Sequence, residues 1–176
     1  MSAAAGDDES SAGERALTTR ADELADAWER AWSGRDPAAF RPIVTGDLHY
    51  EDPLTDVPLR GADELVAHAR RLWDAFPDAA LESSGRRLAD GDFLAAPARL
   101  RGTNSGPLGA MPATNRVLTV HCVFYCEVRH GLLGRVRGFF DLYDAATQLG
   151  VLPRHGTIGE RALLMIRGFG LRARRE

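Results

Sequence analysis

Residues 131–153 read GLLGRVRGFFDLYDAATQLGVLP, and this stretch decides the expected fold of the C-terminal half of the chain. Residues 135–140 form a short extended run after the turn-like residues 130–134, which predicts the returning strand of a β-hairpin. After Asp141 the apolar residues follow helical spacing, and the glycine and proline of the final GVLP end that helix. Asp141 therefore lies at a junction between a strand and a helix.

Two interpretations of Asp141 remain open at this point. Aspartate is favoured as the N-cap of a helix, where it accepts a hydrogen bond from an exposed backbone N–H. The alternative is a functional carboxylate at the end of an apolar strand. Because side chains alternate along a strand, Arg135, Arg137 and Phe139 share the face of Asp141.

The composition predicts one domain that binds a small neutral molecule. A chain of 176 residues is long enough for a single hydrophobic core. Its 22 basic and 25 acidic residues give a net charge of −3, so no global field favours nucleic acid or an acidic membrane as partner. Every basic residue is arginine, which excludes catalysis by a lysine Schiff base.

The N-terminus and the cysteines indicate a cytoplasmic protein. Residues 1–17 are small, polar and acidic, and predict a disordered tail rather than a signal peptide. No apolar run reaches the ~20 residues that span a bilayer. Cys122 and Cys126 lie four positions apart in a predicted strand, about 13 Å between Cα atoms, which is too far for a disulfide. Both cysteines are expected to be reduced.

Along the chain, helices come first and strands follow. Amphipathic helices are predicted over 19–33 and 62–76, a short helix over 36–44 and a brief strand over 48–51 before a loop over 52–61. Strands are predicted over 79–88, 93–102 and 116–129. This order favours an α+β domain with helices on one face of a curved antiparallel sheet. A final helix over 159–169, with a basic end at Arg167, Arg172, Arg174 and Arg175, is expected to pack on the domain or on a partner subunit.

Several short motifs, taken in order, resemble those of the SnoaL-like polyketide cyclase (ester cyclase) family of the nuclear-transport-factor-2-like superfold. The match runs from about residue 21 to residue 153. The motifs are YEDP at 50–53, FPD at 76–78, RGTNSGPL at 101–108, Gly131 before the last strand, FD at 140–141, QLG at 148–150 and LP at 152–153.

The resemblance implies a cone-shaped α+β domain over residues 18–153, followed by a C-terminal helix and basic tail over 154–176. It implies a cyclase of secondary-metabolite biosynthesis that closes a ring of a polyketide by intramolecular aldol condensation, without a metal or organic cofactor. Asp141 matches the family's general acid/base. Burial in an apolar cavity would raise the pKa of such a carboxyl toward the working pH. We expect a homo-oligomer with neither nucleic-acid nor membrane partners.

Two positions depart from the family pattern and are candidate substrate-binding residues. Asn104 stands where the family often has histidine, so it can orient a carbonyl but not carry a proton; alternatively it stabilises a turn. Arg137 stands where the family often has tryptophan. It either pairs with Asp141 and lowers the pKa of that carboxyl, contacts the ligand, or is an exposed strand charge.

Other candidates follow from the faces of strands and helices. His121, Val123, Tyr125 and Glu127 share one face of the long strand, whereas Cys122, Phe124, Cys126 and Val128 form the apolar face expected to meet the helices. We therefore take His121 and Tyr125, together with Phe139 on the next strand, as further substrate-binding candidates, with a solvated face as the alternative. Trp32 is a candidate from a helix face that closes the pocket, with a core position, as for Trp28 and Trp73, as the alternative.

Three functional hypotheses remain. The first is the cyclase with Asp141 as acid/base. The second is a dehydratase, isomerase or epoxide hydrolase, which needs two or more cooperating polar groups such as Asp141, His121 and Tyr125. The third is a non-catalytic ligand-binding or dimerising module in which Asp141 only caps the helix. A metal site at His49, Glu51 and Asp52 is not expected, because no second histidine cluster completes it. The position of the Asp141 carboxylate, inside an apolar cavity or facing solvent, distinguishes the enzymes from the module.

Overall fold

The computed structural model describes the backbone of residues 4–166 and the side chains of residues 19–165. The helices are α1 Ala4–Gly34, α2 Gly61–Ala75, α3 Leu142–Gln148 and α4 Ile158–Ile166, with a 3₁₀ turn at Pro37–Ala39. The strands are β1 Val44–Glu51, β2 Leu59–Arg60, β3 Ala80–Ser83, β4 Leu88–Asp90, β5 Phe93–Thr103, β6 Val117–Arg129 and β7 Leu132–Phe140.

The structure describes part of each end of the chain. Helix α1 begins at Ala4, so the described backbone is helical over most of the predicted disordered tail 1–17. Alanine and glutamate in this stretch favour helix, and the amphipathic segment that follows continues it. The division of the chain into tail, domain and C-terminal segment stays a prediction. The predicted basic end, from Arg167 onward, lies outside the described residues.

The strands of the described chain form one curved, unclosed sheet in the order β2-β1-β7-β6-β5-β3, with β4 also paired to β5. All pairs are antiparallel except β1 with β7, which is parallel, so the expectation of a purely antiparallel sheet is wrong for this pair. Strand β2, helix α2 and strands β3–β6 lie between β1 and β7 in sequence, which provides the long crossover connection that a parallel pair needs. The α+β class, with helices over a curved sheet, is confirmed.

The hairpin between β6 and β7 turns at His130 and Gly131, which have φ angles of 53° and 73°. Two successive positive φ angles are those of a type I′ turn, whose twist matches that of paired strands. The turn sets where β7 begins, and a register shift between Glu127 and Val128, which skips Gly134 in the pairing, sets which later residues of β7 face inward. Val136 is fully buried, whereas its neighbours Arg135 and Arg137 are only partly covered.

The concave face of the sheet carries the core. On β6 the expected apolar face, including Cys122, Phe124 and Cys126, is buried, and the free thiols of both cysteines belong to it. Burial raises the pKa of Cys122 to about 11 and that of Cys126 to about 12, so both are unreactive thiols at neutral pH. Helices α1 and α2 cover this face through a cluster of aromatic rings: Trp28, Trp32, Phe40, Tyr50, Trp73 and Phe124.

Helix α3 covers the opposite end of the same face. Ala145 and Leu149 pack with Leu118 and Val120 of β6 in a second apolar cluster. The Gln148 side chain accepts a hydrogen bond from the Thr119 N–H and donates one to the Thr119 carbonyl, each at 2.9 Å. These bonds fix α3 to β6, and Ala75 and Phe76 at the end of α2 belong to the same cluster. No helix of the described chain is long and apolar enough to cross a membrane.

Candidate active site

A cavity of about 610 Å³ opens between the sheet, α2 and α3. This volume lies within the range of ligand sites for small molecules. Its walls are aromatic and aliphatic, and come from α1, α2, α3, the inner faces of β3, β5, β6 and β7, and the loops at 52–54 and 108–111. The main rings that line it are Trp32, Tyr50, Trp73, Phe76, Phe124, Phe140 and Tyr143.

One carboxylate, that of Asp52, lines this apolar cavity. The Asp52 side chain is 4% exposed, and its Oδ2 accepts hydrogen bonds from the Tyr50 hydroxyl at 2.8 Å and from His68 Nε2 at 2.9 Å. Its Oδ1 accepts one from the Leu54 N–H at 2.8 Å. Three donors therefore hold the carboxylate, and one lone pair of Oδ1 is left for a ligand.

The hydrogen bonds outweigh burial in setting the charge of Asp52. Burial by itself would raise the pKa of this carboxyl, but the hydrogen bonds donated by His68, by Tyr50 and by the Leu54 N–H hold the pKa below its ordinary value. The carboxylate is therefore ionised at neutral pH. Burial, and then the negative charge of Asp52, raise the pKa of Tyr50 well above its ordinary value, so Tyr50 stays a protonated donor.

The tautomer of His68 follows from its two contacts. A guanidinium nitrogen of Arg71 lies 3.2 Å from His68 Nδ1, and arginine can only donate, so Nδ1 accepts. The ring proton of a neutral His68 is then on Nε2 and is donated to Asp52. Since Arg71 is exposed, this chain of contacts runs from the protein surface to the cavity wall.

Local sequence explains why these groups meet. Tyr50 and Asp52 are two residues apart at the end of β1 and so point to the same side of the sheet. Pro53 ends the strand, and the turn that follows supplies the Leu54 N–H. Opposite Asp52 on β7 lies Gly138, where an added Cβ would come within 3.3 Å of the Asp52 Cβ; glycine therefore leaves room for the carboxylate.

The structure does not place Asp141 in this cavity, which corrects the expected site. Asp141 is exposed, is the N-cap of α3, and its Oδ1 accepts a hydrogen bond from the Asp144 N–H at 2.9 Å. Strand alternation is the reason: Phe140 points inward and lines the cavity, so Asp141 points outward. The helix-capping interpretation fits this geometry.

Arg137 and Phe139 lie on the outer face of the sheet with Asp141. Arg137 pairs with Glu51 at 2.5 Å instead of Asp141, and its guanidinium lies 5.9 Å from the centre of the Phe139 ring. Arg135 also approaches Glu51, at 3.6 Å. Both Arg137 and Phe139 border a shallow groove of about 280 Å³ behind Asp52, outside the apolar cavity.

Asn104 is fully buried and all its hydrogen-bonding groups are used within the protein. Its Nδ2 donates to the carbonyls of Gly106, at 2.8 Å, and Ala75, at 3.3 Å; its Oδ1 accepts from the Thr114 N–H and hydroxyl, at 2.8 and 3.0 Å. Asn104 therefore stabilises the loop between β5 and β6, which is the alternative drawn from its sequence. It does not line the cavity.

The remaining candidates divide between the two faces of the sheet. His121 and Tyr125 are exposed on the outer face of β6, away from the cavity, because Cys122 and Phe124 occupy the inner positions. Trp32 lines the cavity, as expected for a helix face that closes the pocket. Among the described residues, no group of three or more His, Cys, Asp or Glu lies close enough to hold a metal ion.

Sequence reasoning missed the pairing of Asp52 with His68. The signal was present: His68 falls at helical spacing between Leu65 and Leu72 on the apolar face of α2, where an unpaired histidine would be costly. Tyr50 and Asp52 also share a strand face. Only the packing of α2 against β1 brings the two signals together.

Comparison with solved structures supports the same fold. TsrD from Streptomyces laurentii superposes with a TM-score of 0.68 and 24% sequence identity, over 76% of this chain and 97% of TsrD. A protein from Jannaschia sp. CCS1 described as a SnoaL-like polyketide cyclase superposes with a TM-score of 0.69 and 20% sequence identity, over 77% of this chain and 94% of its own. AclR from Streptomyces galilaeus, described as a hydroxylase, superposes with a TM-score of 0.68 and 20% sequence identity, over 87% of this chain and 94% of AclR. At these identities the likeness concerns the fold alone.

No curated protein matches the chain by sequence. The model of one protein family, SnoaL-like polyketide cyclase, matches residues 22–149. This range includes both Asp52 and Asp141, as well as every element from β1 to α3. It agrees with the resemblance inferred from the short motifs, and it covers well over half of the sequence. The chain therefore belongs to the SnoaL-like polyketide cyclase family.

Proposed function

We propose that this protein is a cofactor-free enzyme that forms a ring in a polyketide by aldol-type closure, with Asp52 as the general acid/base. The observation that carries the proposal is an ionised, desolvated carboxylate with one free lone pair in the wall of an apolar cavity. Asp52 replaces Asp141 in this role because only Asp52 lines the cavity.

The proposed reaction needs no external reagent. Asp52 Oδ1 takes a proton from a carbon beside a carbonyl, and the C–H electron pair passes to the enolate. The enolate carbon then attacks a second carbonyl of the same molecule, which forms the C–C bond and an alkoxide. The protonated Asp52 returns its proton to that alkoxide, so product and substrate have the same composition.

The surroundings of Asp52 support such a proton transfer. The apolar walls fold the substrate and exclude water, which supplies much of the rate. Tyr50 and His68 hold the carboxylate so that it does not have to reorient during the reaction. Because its pKa is lowered, the Asp52 carboxylate has a reduced proton affinity and is a weaker base. The carbon that loses the proton must therefore be acidic, as a carbon between two carbonyls is.

The second enzyme hypothesis requires two or more separate polar groups that cooperate in the pocket. Asp141, His121 and Tyr125 all lie outside the cavity, whereas Tyr50 and His68 both donate to the same oxygen of Asp52. They form one acid/base centre. A single centre fits enolate chemistry better than a reaction that needs an acid and a base at opposite sides of the substrate.

Exchange of α-hydrogens tests the proposal without knowledge of the natural substrate. The probe is 2-tetralone, a small bicyclic ketone with acidic C–H groups, incubated in D₂O and followed by proton NMR. We expect the wild-type protein to accelerate exchange over buffer, Asp52→Asn to abolish the acceleration, and Asp141→Asn to retain it. Acceleration that survives in Asp52→Asn and is lost in Asp141→Asn would return the acid/base role to Asp141.

We also propose that the protein forms a homodimer through the outer face of the sheet. Exposed apolar side chains there form a continuous patch across β5, β6 and β7: Phe93, Val123, Tyr125 and Phe139. Arg135, Arg137, Glu51 and Glu127 beside the patch carry both signs of charge, which suits contact with a second copy.

Light scattering after gel filtration tests this oligomeric state. Val123→Arg places a charge in the middle of the patch and is expected to convert a dimer to a monomer. The control is Ala67→Arg, since Ala67 is exposed on α2, which covers the other face of the sheet. A wild-type protein that elutes as a monomer, or a Val123→Arg protein that stays dimeric, contradicts the proposal.

A further inference from the structure

We infer that the cavity takes a neutral, hydrocarbon-rich substrate whose reacting carbonyls all lie at one end, rather than a molecule that carries oxygen along its whole length. This inference deepens the proposed function and rests on it for the role of Asp52. It is drawn from what the cavity offers to a ligand besides that carboxylate.

The side chains of the cavity leave almost no hydrogen-bonding group for a ligand. The Tyr50 hydroxyl donates to Asp52, and the Tyr143 hydroxyl donates to the Pro153 carbonyl at 2.9 Å. The Cys122 thiol lies 3.5 Å from the Ala98 carbonyl. The indole nitrogen of Trp32 has no partner, but it is sealed from the open space by neighbouring rings.

Oxygen atoms along a substrate would therefore be buried without partners. A hydroxyl that leaves water and finds no hydrogen bond loses about tenfold or more in affinity. An aromatic polyketide with hydroxyls on several rings would suffer this loss at each one. A largely reduced ring system or chain would not, and its carbonyl-bearing end can lie at Asp52.

The charge of the site excludes acidic substrates. No arginine, lysine or histidine is present among the described residues that line the cavity, whereas Asp52 is anionic. The nearest arginine on β7, Arg137, is turned to the outer face and paired with Glu51. A substrate carboxylate inside the cavity would meet a like charge in apolar surroundings, so we expect an ester or a ketone and not a free acid.

The entrance continues the apolar surface. Leu54, Leu142 and Val151 line the cavity and are also 38%, 45% and 52% exposed, so they lie at its opening. They come from three separate segments: the loop after β1, the first residue of α3 and the segment after it. Hydrocarbon that extends beyond the cavity therefore contacts more hydrocarbon before it reaches solvent.

A matched set of ligands tests this selectivity by calorimetric titration of the full-length protein. The set is 9-fluorenone, its 2,7-dihydroxy derivative and 9-oxofluorene-2-carboxylate, which share one ring system and one ketone. We expect 9-fluorenone to bind, and the dihydroxy and carboxylate compounds to bind at least about tenfold more weakly. Equal or tighter binding of the dihydroxy compound, or no binding of 9-fluorenone, overturns the inference.

Variants test whether the ligands bind in the cavity and whether the charge of Asp52 sets the selectivity. Ala146→Phe fills the cavity from α3 and is expected to abolish binding of 9-fluorenone, whereas Ala67→Phe on the exposed side of α2 leaves it unchanged. A thermal melt of each variant checks that it folds. Asp52→Asn removes the negative charge, so the carboxylate ligand should bind this variant more tightly than it binds the wild type. The weaker binding of the dihydroxy compound relative to 9-fluorenone should remain.

The experiments test the acid/base role of Asp52 and the substrate class independently. If the ligand order holds but Asp52→Asn still accelerates α-hydrogen exchange, the cavity binds as inferred and the acid/base role is wrong. If Asp52 is required for exchange but the dihydroxy compound binds best, the acid/base role stands and the substrate class is wrong.

Discussion

Asp52 and Asp141 are alike in sequence and opposite in surroundings. Each follows the last residue of a strand, β1 or β7, and each accepts a hydrogen bond from a backbone N–H just after it in the chain. The two strands are neighbours and parallel. However, Asp52 faces inward, against Tyr50 and His68, and Asp141 faces solvent at the start of α3.

The difference shows that the hydrogen bonds a carboxylate makes to nearby backbone do not determine whether it lies in a functional site. A bond to a nearby N–H is sufficient for a turn or a cap, and both residues make one. What distinguishes Asp52 is contact with groups far away in sequence and with an apolar cavity. It also has a lowered pKa despite burial, where a raised one was expected for an enclosed carboxylate, because donated hydrogen bonds outweigh desolvation.

The largest expected effect separates the two residues by activity. Asp52→Asn is expected to lower the rate of α-hydrogen exchange in bound 2-tetralone by about 10²- to 10⁴-fold, as is typical when a general base is removed. Asp141→Asn should change it by less than about twofold, since asparagine also caps helices well. A comparable loss in both variants would mean that the comparison of the two sites is wrong.

The pH profile of the exchange sharpens the comparison. With the pKa of Asp52 held below its ordinary value, which is about 3.9, the rate is expected to stay flat from neutral pH down to about pH 5. His68→Leu removes a donor and leaves burial to dominate, so the pKa rises and the acid limb moves to higher pH. A profile that His68→Leu does not shift would show that His68 only fills space.

The stability of the fold should depend on pH through Asp52. A folded-state pKa below the unfolded value stabilises the protein above about pH 3.9, and this stabilisation is lost as the pH falls through the folded value. Urea unfolding at pH 6 and pH 3 measures it. The free energy of unfolding should fall less between these two conditions in Asp52→Asn than in the wild type; an equal fall would exclude Asp52 as the cause.

The cap at Asp141 predicts a smaller effect on stability. Asp141→Ala removes the bond to the Asp144 N–H and should lower the free energy of unfolding by about 1 kcal/mol. Asp141→Asn keeps a capping group and should stay near the wild type. Chemical denaturation at pH 7 distinguishes the two, and equal stability of the alanine variant and the wild type would argue against the capping role.

The smallest effect concerns the ion pair on the outer face. Arg137 and Glu51 are joined at 2.5 Å, but their side chains are 43% and 23% exposed, so solvent screens the pair. Arg137→Ala is expected to cost less than about 1 kcal/mol at low salt, and less still in 1 M NaCl. Denaturation at both salt concentrations measures it; a loss that salt does not reduce would point to packing on Phe139 instead.

The sequence by itself determined the class of fold and the family. The amphipathic spacing of α1 and α2, the alternation along β6 and the turn at His130 and Gly131 are local patterns, so they can be read without knowledge of the rest of the chain. The short motifs in their order also identified the family, which the match over residues 22–149 confirms. The capping preference of Asp141 was visible too.

Only the tertiary structure decided which carboxylate lies at the cavity. The pairing of Asp52 with His68 joins residues 16 positions apart on a strand and a helix, and depends on how α2 packs over β1. The parallel pairing of β1 with β7 and the inward side of each strand likewise follow from the whole sheet. Burial, and hence the pKa of a side chain, comes from contacts between distant segments, which local sequence patterns do not specify.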